Sequence, residues 1–120
     1  MRIEITEVLD GGLVRFGSPL GTACARWRGI EPPPTGPVDV ELEIPDEVRA
    51  WAAVPPGEPA LSGAGEQILM TAPVAANDGG VVTLRLGGSV VQAELAAPAV
   101  RPGARLRLTV ERLELYPLNL

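Results

Sequence analysis

Apolar and polar residues alternate along most of this chain with a period of two. Val38, Val40, Leu42 and Ile44 alternate strictly with Asp39, Glu41 and Glu43, which is the cleanest strand pattern in the sequence. Ile3 and Ile5 alternate with Arg2, Glu4 and Thr6, and Asp10-Gly11-Gly12 follows as a hairpin signal. Leu13 to Phe16 and Gly21 to Arg28 read as two further strands, the second with Ala23, Ala25 and Trp27 on one face. Val82, Leu84 and Leu86, then Val91, Ala93 and Leu95, then Leu106, Leu108 and Val110 repeat the pattern around Gly87-Gly88 and Pro102-Gly103. The apolar parity slips between Val110 and Leu113. A one-residue slip turns every side chain to the other face, so a bulge or strand break is predicted near Glu111-Arg112.

Other stretches break the period. Pro32 to Pro37 lacks donors and has its φ fixed, so neither helix nor paired strand is expected there. Pro45 to Ala53 opens on Pro and acids and places Val48, Trp51 and Ala52 on one helical face, which predicts one short helix over residues 46–53. Residues 55–65 are rich in Pro, Gly, Ala and Ser and read as a linker or long surface loop. Residues 67–76 read as a strand whose Pro73 argues for an edge position or a bulge.

An internal repeat orders these pieces. A shift of 68 residues carries Asp10-Gly11-Gly12 onto Asp78-Gly79-Gly80 and keeps apolar parity without a gap as far as Ile44. Before Asp10 the match fails, because Ile5 falls on Pro73. The expected fold is therefore all-β: a small barrel, or paired OB-like barrels, built from two sequence-related halves. Residues 1–45 form the first repeat, 46–66 the helix and connector, and 67–120 the second repeat, all within one compact domain.

The runs RLGG, QAEL and VRPGARLRLTVERLELYP, within residues 81–117, resemble the TOBE domain. That family is an OB-like β-barrel module found at the C-terminus of ABC-transporter ATPases and in molybdate-binding proteins. Ala104 stands where the family often has an acidic residue. The resemblance implies a binding or regulatory module, with a small oxyanion held at an interface between barrels. Donors for such an anion would be Ser18, Thr22 and Ser89 in the turns, with Arg26 and Arg28. Each also reads as an ordinary turn or surface residue.

Composition narrows the chemistry. The 120 residues carry a net charge of −5, 14 Gly and 13 Pro, and all ten basic residues are Arg. The heavy punctuation favours short strands. No His and no Lys are present, and Cys24 is the only cysteine. This removes Ser-His and Cys-His catalysis, Lys-based nucleophiles, the P-loop, and Cys/His zinc sites within one chain. No enzymatic role, cofactor or metal is expected. Cys24, between two alanines, reads as a small strand residue.

Acidic charge and sparse aromatics disfavour nucleic acid. No apolar run is long enough to span a bilayer, and MRIEITEV does not read as a signal peptide. A cytoplasmic, bacterial protein is expected.

The alternative to an anion-binding module is a protein-protein interaction module, such as an inhibitor, immunity or assembly subunit. Asp39, Glu41 and Glu43 share the polar face of one strand, and Arg105 and Arg107 that of its repeat equivalent. They read either as ordinary solvated sheet faces or as faces that meet, between the halves or between protomers of a homo-oligomer. The apolar tail from Leu115 to Leu120 would serve as a strand end or an interface.

Overall fold

A computed structural model describes residues 1–96 and 100–118. Its strands are β1 (Arg2–Val8), β2 (Leu13–Ser18), β3 (Gly21–Trp27), β4 (Gly36–Glu43), β5 (Ala50–Val54), β6 (Ala60–Ser62), β7 (Ile68–Asp78), β8 (Val81–Leu86), β9 (Ser89–Glu94), β10 (Arg105–Val110) and β11 (Glu114–Pro117). Five of them close a barrel in the order β1-β2-β3-β11-β4. The other six form a sheet in the order β5-β10-β7-β8-β9, with β6 paired to β7. The architecture is an all-β small barrel, compatible with an OB-like fold.

The period-two pattern places its apolar members inward. Ile3, Ile5, Val14, Phe16, Val40 and Leu42 from the barrel join Met70, Val74, Leu84, Val91, Leu106 and Leu108 from the sheet in a single core cluster. Burial of whole Leu, Ile and Phe side chains stabilises by about 1.5–3 kcal/mol each. The parity slip also appears as predicted. β10 ends at Val110, β11 begins at Glu114, and the break lets Leu113 and Leu115 both reach full burial.

The repeat holds in register. Phe16 lies opposite Ala23 and Val14 opposite Ala25, while Leu84 lies opposite Val91 and Val82 opposite Ala93. Each member of the second set stands 68 residues after its counterpart. The repeat continues into β1 and β7 after a one-residue offset. Ile5 faces Phe16 and Val74 faces Leu84, and each strand shifts register at its next rungs, between Ile5 and Glu7 and between Val74 and Ala76. The extra residue of the first half lies in the turn, where a 3-10 turn at Asp10–Gly12 stands for the tighter Gly79-Gly80. Gly79 and Gly80 have φ of 61° and 99°, a region that glycine enters without steric cost.

The halves exchange their last strands. β11, at the end of the second repeat, pairs antiparallel with β4 over four residues and parallel with β3 at Arg26 and Trp27, closing the first barrel. β5, which follows the first repeat, pairs antiparallel with β10 over five residues. Its approach segment meets β9 through a single parallel bridge, Val48 to Leu95.

Three expectations need correction. Residues 46–53 do not form the predicted short helix, because Ala50–Val54 is strand β5. A two-turn helix would leave one edge of β10 without backbone partners, whereas β5 supplies five rungs. The Trp51 Nε1–H still reaches the Ala96 carbonyl at 2.9 Å. The connector at 55–65 is not all loop, since Ala60–Ser62 forms β6 against Met70. Pro73 meets the bulge alternative rather than the edge one, since the register shifts just after it, between Val74 and Ala76. β7 has β10 on one side and β6 then β8 on the other, and Pro73 falls in the gap between those two. In addition, β4 starts inside the Pro-rich stretch, with Gly36 and Pro37 opposite Ile5 and Glu4.

Candidate functional site

Strand exchange leaves a cleft between the two assemblies. One wall is β4 from Val40 to Ile44 with Tyr116 and Leu118. The other is β9, with Val81 and Thr83 of β8 and Gly88 of the β8–β9 turn, and Met1 lies at one end. Its volume is about 830 Å³, in the range of specific binding clefts.

The lining is acidic and partly apolar. Glu41, Glu43 and Glu94 project here because they hold the outward parity of β4 and β9. Ser89, Gln92 and Thr83 add neutral polar groups. Val81, Val90 and Leu118, 40%, 55% and 39% exposed, place large apolar side chains on the same surface. Among the described residues no arginine lines the cleft, and the cationic group there is the Met1 ammonium, which donates to the Val40 carbonyl at 2.8 Å.

The residues singled out from sequence scatter. Of the turn donors and the charged strand faces, only Ser89, Glu41 and Glu43 share this cleft. The Ser18 hydroxyl is consumed by its own turn, accepting from Leu20 N–H at 3.1 Å and donating to the Gly21 carbonyl at 3.2 Å. Thr22 is exposed at the start of β3. Arg26 is a structural clasp, paired with Glu66 and donating to the Gly11 carbonyl. Arg28 lies 3.6 Å from the buried Glu114, which also accepts from the Tyr116 hydroxyl at 3.3 Å. Arg105 donates to the carbonyls of Pro55 and Glu58, and its buried Nε has no partner. It is therefore a pin for the connector.

The acidic and basic strand faces do not meet within the chain among the described residues. Asp39 pairs instead with Arg2, its register partner on the neighbouring strand β1, at 3.0 Å. The hydrogen bond from Arg2 holds the Asp39 carboxyl below its ordinary range, against partial desolvation. Arg107 lies opposite Thr71 and Ala52, on a shallow shelf of about 300 Å³ with Arg49, Trp51 and Thr109. Asn119 and Leu120 of the apolar tail, and residues 97–99 of the TOBE-like stretch, lie outside the described residues. Of that tail, Leu115 is core and Tyr116 and Leu118 line the cleft.

Sequence reasoning placed Glu43 on the acidic face of β4 but missed Glu94 and Gln92 as site residues. One signal was present: the repeat equivalents Arg26 and Glu94 carry opposite charge, as Asp39 and Arg107 do. Among the described residues no group of three or more acids and cysteines could hold a metal ion. No helix there is long and apolar enough to cross a membrane. Comparison with known proteins finds no match to this chain among family models, curated proteins or solved structures.

Proposed function

We propose that this chain is a non-enzymatic, TOBE-like β-barrel module that binds a partner protein through the cleft between β4 and β9. The supporting observation is the lining itself: three carboxylates beside three exposed apolar side chains, with no arginine. An oxyanion there would face like charge, which costs affinity. A cationic partner surface with apolar anchors would gain on both counts. The test is cross-linking capture from host extract, comparing the wild type with the double variant Glu43→Lys, Glu94→Lys. Cross-links that map to the cleft and vanish in the folded variant are expected. Capture unchanged by the variant would overturn the reading.

The small-oxyanion reading has a different location in its favour. Arg49, Arg107 and Thr109 share one shelf, and no acid pairs with Arg107 among the described residues. Titration with molybdate and with sulfate, on the wild type and on Arg107→Ala, separates the two readings. Saturable binding lost in Arg107→Ala would support the anion site.

A further inference from the structure

The cleft has a counterpart in the same molecule, and that counterpart is filled. Applying the repeat to the cleft walls, Gly88 and Ser89 correspond to Leu20 and Gly21, Glu94 to Arg26 and Glu43 to Glu111. Met1 corresponds to Met70, through the matched registers of Arg2 with Asp39 and Thr71 with Arg107. On the filled side all five counterparts are contacted by residues 60–67. Leu61 pairs with Met70 in an antiparallel ladder and donates its N–H to the Leu20 carbonyl at 2.9 Å. Gly21 approaches so closely that a Cβ there would stand 2.1 Å from the Leu61 carbonyl oxygen. Glu66 pairs with Arg26, and the Gln67 amide donates to both Glu111 oxygens at 3.0 and 3.1 Å.

The consequences of filling are visible. Leu61 is 2% exposed and belongs to the core. Cys24, on the outward face of β3, is fully buried, whereas its counterpart Gln92 on β9 is exposed and lines the cleft. The outward edge and face of β9 therefore lack what β6 supplies to β3.

Resting on the reading of the cleft as a protein-binding surface, we infer that its occupant is an extended, basic peptide segment that lies where β6 would lie in the first repeat. Its backbone runs beside Met1 and Arg2 and donates an N–H to the Gly88 carbonyl, as Leu61 does to Leu20. Ser89 carries the Cβ that Gly21 lacks, so the segment stands farther from β9 than β6 does from β3, and the Ser89 hydroxyl spans the difference by donating to the carbonyl that corresponds to that of Leu61. An apolar side chain serves as anchor, in the role of Leu61. Five residues later a Lys or Arg meets Glu94, because the sign at that position is reversed from Arg26. A second donor follows, toward Glu43. Strand addition of this kind draws affinity from backbone hydrogen bonds and specificity from side-chain pockets.

The experiment uses two labelled peptides with the sequence of residues 59–67, one native and one carrying Glu66→Lys, titrated into the full chain by fluorescence polarisation. The Glu66→Lys peptide is expected to bind at least about tenfold more tightly than the native one, a preference of about 1.4 kcal/mol. The Glu94→Arg chain is expected to reverse the order, with amide shifts at Gly88 and Ser89 marking the site. Binding of neither peptide by a chain that gives a native spectrum would overturn the inference, and so would binding without charge preference or a preference untouched by Glu94→Arg. So would a second copy of the chain in the cleft, seen as a dimer in sedimentation that Glu94→Arg dissociates. Cleft-mapped cross-links alongside failed peptides would sink only the extended-segment inference. Capture indifferent to Glu43→Lys, Glu94→Lys would sink the wider reading as well.

Discussion

β3 and β9 are repeat equivalents with the same hairpin register, yet they live in different surroundings. β3 is covered by β6 near its start and bound by β11 at its end. β9 is paired along one side by β8, and on the other its backbone meets, among the described residues, only Val48, at Leu95. The first half is consequently a closed barrel and the second an open sheet. The repeat units themselves are matched, so the asymmetry comes from the connectors. Residues 55–67 turn back as β6 and fill one cleft, while the other cleft has no corresponding segment among the described residues. An unpaired strand edge beside exposed apolar side chains is a site at which another chain can add, and this is why the unfilled copy is the one proposed to bind.

The largest effect should come from breaking barrel closure. Leu115 is fully buried on β11, so Leu115→Ala is expected to lower unfolding free energy by about 2–5 kcal/mol in a denaturant titration. A loss under 1 kcal/mol would mean that β11 is not the closing strand. The next effect comes from giving the filled cleft the residue of the open one. Gly21→Ser places a Cβ against the Leu61 carbonyl at φ of 131°, and about 2–3 kcal/mol should be lost. Hydrogen exchange at the Leu61 amide should quicken at the same time, and unchanged protection would contradict the packing of β6 on β3.

Trp51→Ala tests the looser closure of the second half. The indole is half-buried and gives one hydrogen bond to Ala96, so about 1–2 kcal/mol is expected. A greater loss than Leu115→Ala would invert the ranking of the two closures.

The smallest effect is the Arg26–Glu66 clasp. The Arg26 hydrogen bond, aided by its charge and that of Arg112, holds Glu66 below its ordinary 4.5, against partial desolvation. A carboxylate depressed on folding stabilises fully above pH 4.5 and loses that contribution as pH falls through its lower folded value. The thermal midpoint of Glu66→Gln should therefore lie slightly below that of the wild type at neutral pH and converge with it in acid. A gap that widened in acid would contradict the sign. The pair is more than a third exposed, so the effect is small.

Much of the fold was legible in the sequence because burial on one face imposes period two. β2, β3, β4, β8, β9 and β10 follow from alternation and glycine turns, and the parity slip located the break before β11. β5 and β6 were not legible. Ala50–Val54 carries a helical spacing, and its strand state is decided by the open edge of β10, 51 to 59 residues away in the chain. β6 is three residues long, too short to show any period, and is held by β7 and Leu20. The candidate site was barely legible for the same reason. Ser89 and Glu41 were named for separate reasons, and only packing of the two halves put them in one cleft. Arg26, Arg105 and Asp39 looked available in sequence, but each is occupied by a partner distant along the chain, Glu66, the Pro55 and Glu58 carbonyls and Arg2 respectively.

By itself the sequence determined the strand inventory of each half, the 68-residue correspondence between their hairpins, and the lack of His and Lys. All of these follow from local periodicity or from composition. Only the tertiary structure decided the exchange of β5 and β11, the filling of one cleft by β6 and the opening of its twin. Those outcomes depend on which unpaired backbone edges come within reach of which segment, a long-range condition that no local pattern encodes.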